Sequence, residues 1–133
     1  MNITQINEVY NKLISKKTKE IEYWNNLNCF SNSKARDKRL NEIKNSFIQV
    51  QIILPQLLSK LLPPNKYEVE EQYGSLFLTW GSDQNNAMVY LSDTSEFSIH
   101  YVNNGIEQDI DFLELNKFNE DIVNKINSYH YLD

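Results

Sequence analysis

The stretch Ile106–Phe112, IEQDIDF, carries a carboxylate at every second position: Glu107, Asp109 and Asp111. Side chains on an extended strand alternate between faces. Read as one strand, the stretch puts three carboxylates on one face and Ile106, Ile110 and Phe112 on the other. Such a face suits a metal ion, acid–base chemistry or a cationic partner.

The metal reading starts from D-x-D-x-x-E at Asp109, Asp111 and Glu114. A calcium loop of the EF-hand kind also needs a third early oxygen ligand, a central glycine and a glutamate at its twelfth place. None is present. Carboxylates two apart on a strand stand roughly 6–7 Å apart at the backbone and do not converge on one ion unaided. The sequence predicts no metal site and no cofactor. Acid–base work needs two carboxyls held in different environments, and three on one exposed face share one.

Nucleophile and base chemistry has little material. The histidines are His100 and His130, and the lone cysteine is Cys29. Lys34 and Arg36 follow Cys29 closely enough to lower a thiol pKa, but no motif surrounds it. Phosphate-cradling, dinucleotide, C-x-x-C and H-E-x-x-H patterns are all absent. The sequence therefore predicts no enzyme; the alternative it leaves is a small hydrolase with a site near His100.

Two charged surfaces remain. The segment SKARDKRLNEIK brings Lys34, Arg36, Lys38, Arg39 and Lys44 to the start of a helix, where they could meet phosphates. No aromatic arrangement for reading bases accompanies them, so nucleic acid is the less favoured partner. Glu68 and Glu70 alternate on an earlier strand as Glu107, Asp109 and Asp111 do on the last. Brought to one side of a sheet, these five would form a negative surface that draws in a basic partner. The bland alternative is a solvated face that keeps a sheet edge from pairing with other chains. The charge is divided along the chain. Met1–Pro64 has ten Lys/Arg against five Asp/Glu, a surplus of five cations, and Asn65–Asp133 has three against thirteen, a surplus of ten carboxylates.

The elements that must position these residues follow from periodicity. Ile6, Val9, Tyr10 and Leu13 have helical spacing, and Ile21 and Trp24 extend the stripe. The polar run NNLNCFSNS breaks it, with Ser33 as the expected N-cap of a second helix. Leu40, Ile43, Phe47, Val50, Leu54, Leu57 and Leu61 follow a heptad seam. Ile48, Ile52, Ile53, Leu58 and Leu62 widen it, which predicts burial on more than one side. Pro55 predicts a kink or restart, and it favours internal packing of the seam over a homodimer through Leu40–Leu61. Pro63–Pro64 end the helix.

Beyond Asn65 the period becomes two: KYEV, GSLFLTWG, AMVYL, EFSIHYV and IEQDIDF. Asn104–Gly105 is a two-residue hairpin signal. Leu115, Phe118, Ile122, Ile126 and Tyr129 form a last helical stripe, with Asn119 as its cap. The expected fold class is α+β: an N-terminal helical hairpin whose long second helix kinks near Pro55, an antiparallel meander of four to five strands, and a C-terminal helix. The chain reads as one domain over 1–133, with a basic helical part at 1–64 and an acidic sheet plus helix at 65–133.

No stretch is apolar enough to cross a bilayer, and MNITQINEVY has no secretory pattern. A single cysteine fits a reducing compartment, so the expected location is cytoplasmic. Abundant Asn, Ile and Lys suggest an AT-rich genome such as a low-GC bacterium or its phage. The combined expectation is a non-catalytic protein-binding module that docks an acidic sheet on a larger, basic protein. An inhibitor encoded by a phage or mobile element would fit, whether anti-defence, anti-CRISPR-like or toxin-neutralising. It would use Glu68, Glu70, Glu107, Asp109 and Asp111, helped by the loops Asp83–Asn86 and Ser92–Ser95.

Overall fold

The computed structural model describes residues 3–27, 30–108 and 111–130. Helix α1 spans Ile3–Asn26 and buries Ile6, Tyr10, Leu13 and Ile21. Helix α2 spans Phe30–Leu58 and returns along α1. Its start lies three residues ahead of the expected cap. Ser33 is inside the helix, buried, and its hydroxyl donates to the Asn25 side-chain carbonyl across the hairpin. The correction has a simple cause. A buried hydroxyl needs a partner, and the facing helix supplies one.

The seam of α2 is consumed within the chain. Ile43, Val50, Leu54 and Leu57 have no solvent exposure. They pack on α1 and on the sheet in one continuous core cluster. A fully buried aliphatic side chain of this kind contributes roughly 1.5–3 kcal/mol. The widening of the stripe is only partly inward. Ile53 is buried and Leu58 half-buried, whereas Ile48 is 51% and Ile52 54% exposed. These two sit four residues apart on the side of α2 turned away from α1 and the sheet. The helix runs unbroken through Pro55 to Leu58. Pro55 is exposed, so its ring stands on the solvent side.

Among the described residues, six strands form one antiparallel sheet: β1 (Lys66–Val69), β2 (Leu76–Gly81), β3 (Asn86–Leu91), β4 (Glu96–Asn103), β5 (Ile106–Glu107) and β6 (Asp111–Glu114). Their order is β1-β2-β3-β4, with β5 and β6 both pairing β4 on its far side. Helix α3, Glu120–Tyr129, follows a 3-10 turn at Leu115–Lys117. The side chain of Asn119 caps it, accepting from the Ile122 amide at 3.0 Å.

All three helices lie on one face of the sheet. That face presents Leu76, Leu78 and Trp80 from β2, Ala87, Val89 and Leu91 from β3, and Phe97, Ile99 and Tyr101 from β4, all buried. Phe118 meets Phe97 edge-on, and Tyr129 stacks on Tyr101. The connection after α2 is pinned at both ends. Trp80 Nε1 donates to the Leu62 carbonyl at 2.7 Å, and the Gly81 amide donates to Asn65 Oδ1 at 2.7 Å. No helix of the described residues is long and apolar enough to cross a membrane.

Candidate functional site

The hairpin Asn103–Ile106 turns on Asn104 at φ 51° and Gly105 at φ 78°. Positive φ at both central residues is what a type I′ turn requires. It starts β5 in register, with Asn103 opposite Ile106 and Val102 opposite Glu107. By β6 the register has slipped. Ile99 stands opposite Asp111, and Ser98 opposite Phe112. Two residues of β4, His100 and Tyr101, lie between these pairings, against three on the other strand. One extra residue inverts which face each later side chain takes.

The expected alternation of IEQDIDF is overturned by that slip. Phe112 falls on the helix-free face and is 72% exposed. Glu107 also faces that side, in line with Val102, whereas the Asp111 position aligns with inward-facing Ile99. Ile106 is 71% exposed at the turn. Asp109 and Ile110 lie outside the described residues, as does Cys29. Glu68 and Glu70 belong to the opposite edge of the sheet, with β2, β3 and β4 between them and Glu107. At about 4.8 Å per strand, that separation is roughly 19 Å. Glu68 and Glu70 therefore do not cluster with Glu107.

A different feature occupies the middle of this face. Glu68, Phe77, Tyr90, Ser98 and Phe112 are successive cross-strand partners, one from each of β1, β2, β3, β4 and β6. The Phe77 and Tyr90 rings lie 4.9 Å apart and tilted. The Tyr90 hydroxyl is 3.0 Å from Ser75 Oγ. Met88 and His100 flank this row from the next one, which runs Lys66, Thr79, Met88, His100. No element of the described chain covers it.

Carboxylates surround the row. Glu68, Glu96, Glu107 and Glu114 are exposed, and Glu70 is half-buried. Glu96 stands directly opposite Glu114, a like-charge pairing that destabilises a sheet by a few tenths of a kcal/mol or more. None of these five forms an ion pair with a lysine or arginine among the described residues. Those ion pairs lie elsewhere, in Lys16–Glu71, Lys17–Glu20, Arg36–Glu20 and Lys66–Asp83. Reasoning from the sequence missed Phe77, Tyr90, Phe112, Glu96 and Glu114 as one surface. Their period-two spacing is visible in each strand, but only pairing register aligns them.

His100 sits on the same open face, with Nε2 3.7 Å from Glu107 Oε1. Its Nδ1 is buried without a partner among the described residues. No hydroxyl or thiol hydrogen-bonds to it there, so it has a carboxylate neighbour but no paired nucleophile. His130 closes α3. Among the described residues no group of three or more His, Cys, Asp or Glu could hold a metal ion.

The basic helix start is divided. The Arg36 guanidinium lies 4.5 Å over the Trp24 ring and 3.8 Å from Glu20. Lys34, Lys38, Arg39 and Lys44 are exposed. Lys38 and Lys44, six residues apart, point about 120° apart around the helix. Arg39 faces the α1 side, near Lys16, Lys17 and Glu20.

Compared with known proteins, the chain matches no family model, no curated protein and no solved structure.

Proposed function

We propose that the chain is a non-catalytic protein-binding module that docks the open face of its sheet on a basic surface of a larger protein. One observation carries the reading. The face without helices bears an uncovered aromatic row, Phe77–Tyr90–Phe112, ringed by carboxylates that pair with no lysine or arginine among the described residues, Glu107 having only His100 beside it. Protein interfaces combine an aromatic-rich centre with a polar rim in this way. The Glu96–Glu114 opposition favours a cationic partner, whose binding would relieve it.

Size limits the face. Five strand positions at about 4.8 Å and six residues at about 3.4 Å give roughly 500 Å². A stable interface covers roughly 800 Å² per partner. The loops at 82–85 and 92–95, at the rim of the sheet, would supply the difference. Small size and composition make a phage or mobile-element inhibitor, anti-defence or toxin-neutralising, the class we favour.

Capture from a bacterial lysate tests the reading when run with variants and a salt series. A protein retained by the unaltered chain, lost with both Phe112→Ser and Glu107→Lys, and released as salt rises would support it. Retention of nucleic acid instead, abolished by Lys38→Glu with Arg39→Glu, would contradict it and favour the basic helix start.

A further inference from the structure

The sheet ends at β1, with no strand beyond it among the described residues. Pairing parity shows which backbone groups point out. The Glu70 amide donates to the Ser75 carbonyl at 2.8 Å. In an antiparallel ladder alternate residues bond the neighbouring strand, so Glu68 and Lys66 bond β2 as Glu70 does. Tyr67 and Val69 therefore turn their N–H and C=O groups to the open edge. Neither has another hydrogen-bond partner among the described residues. An edge of this kind is a template for an added strand.

Two concavities flank the edge, one on each face of β1. The outer one, about 380 Å³, is bounded by Glu68, Glu70, Phe77, Thr79 and Met88, with Lys66 and Tyr67 also lining it; the Lys66 ammonium is engaged with Asp83 at 3.6 Å. Its carboxylates, apolar floor and aromatic ring suit a long cationic side chain, whose stem packs while its head meets the glutamates. The inner one, about 220 Å³, is bounded by Val9, Leu13 and Val69, with Lys12, Lys16 and Glu71 at its rim. Lys16 is engaged with Glu71 at 3.5 Å. This concavity suits an apolar side chain, and its lysines repel a cationic one.

We propose that β1 accepts an extended segment of the partner as an additional antiparallel strand, in which lysine or arginine alternates with an apolar residue. The cationic side chains enter the outer concavity and the apolar ones the inner. The register follows from the edge. Residues opposite Tyr67 and Val69 share their inward face and exchange backbone hydrogen bonds with them, so the apolar residues of the segment make the ladder. The proposal rests on the reading of this sheet as a protein-binding surface and names the segment it takes.

The test uses the full chain and a synthetic probe, acetyl-Lys-Val-Lys-Val-Lys-Val-amide. Its block isomer, acetyl-Lys-Lys-Lys-Val-Val-Val-amide, has the same charge and composition without alternation. Titration followed by amide NMR should show saturable binding of the alternating peptide, with shifts and slowed exchange at the Tyr67 and Val69 amides. The block isomer should bind at least about tenfold more weakly. N-methylation of the valine nitrogens should abolish binding, whereas N-methylation of the lysine nitrogens should preserve it. Val69→Pro removes one outward N–H without touching the β1–β2 ladder and should weaken binding about fivefold.

Equal binding of the two isomers would overturn the proposal in favour of charge attraction alone. So would shifts centred on Phe112 and His100, or self-association of the chain through the same amides without peptide. Ile52→Ser, on the helical layer away from the sheet, should leave peptide affinity unchanged. Failure at the edge with capture still dependent on Phe112 would sink this inference and leave the broader reading standing.

Discussion

Phe112 exposes 72% of its surface on the open side of the sheet, so it adds little to the core. Phe112→Ser should change unfolding free energy by less than about 0.5 kcal/mol, measured by denaturant titration, while abolishing partner capture. A loss of several kcal/mol would instead make the ring structural. Tyr10 is the opposite case. Its hydroxyl donates to the Gly74 carbonyl, and its ring stacks on Phe47 at 4.9 Å. Tyr10→Phe should cost about 1–3 kcal/mol, because a buried carbonyl loses its donor. Burial holds the Tyr10 pKa well above its ordinary 10.0. Below pH 10 both folded and unfolded chains keep the proton, and the group gives stability no pH dependence. Above pH 10 the unfolded chain releases it first, so stability falls by up to about 1.4 kcal/mol per pH unit. Denaturant unfolding at stepped alkaline pH should show this slope in the unaltered chain and its absence in Tyr10→Phe.

At the scale of elements, the turns and the edge govern what the sheet presents. Gly81 closes β2 at φ 104°, and a Cβ there would run into the Asn85 carbonyl oxygen. Gly81→Ala should destabilise by about 2–3 kcal/mol, read as a lower melting temperature, because both φ and space forbid the methyl. Much of this level was legible in the sequence. The helical stripe of α3 with its Asn119 cap, the Asn104–Gly105 turn and the inward sets Leu76–Leu78–Trp80 and Phe97–Ile99–Tyr101 follow from local chemistry. The register slip between β5 and β6 was not legible. Alternation continues unbroken through IEQDIDF, and only the pairing with β4 shows that one residue is supernumerary. That one-residue slip sets Phe112 opposite Ser98 and exposes it. Ser33 misled for a related reason: a serine before an apolar run suits a cap, but the facing Asn25 made a helical interior position satisfactory. Ile48 and Ile52 could not be told from core residues by spacing, since a stripe's width does not say how much of it a neighbour covers.

For the whole molecule, the basic half supplies α1 and α2 of the helical layer, and the acidic half supplies the sheet and α3, around one shared core. The surplus of carboxylates in the second half becomes a property of the sheet layer, but it is spread around an aromatic row rather than concentrated in a patch. The composition suggested a cationic sign for the proposed partner. It could not reveal the geometry, because β1 and β5 end at opposite edges. Charge-led docking at this layer predicts an association rate that falls steeply with ionic strength, while dissociation, governed by the aromatic centre, changes less. Stopped-flow association at a series of salt concentrations with the captured partner checks this, and a salt-independent rate would argue against the carboxylate rim.

The most direct measurement is hydroxyl-radical footprinting of the chain, free and bound to its captured partner. Binding through the open sheet should slow oxidation of Phe77, Met88, Tyr90 and Phe112 together while leaving Tyr23 and Ile52 unchanged. Protection of Tyr23 or Ile52, on the helical layer, with the aromatic row as reactive as before, would contradict it.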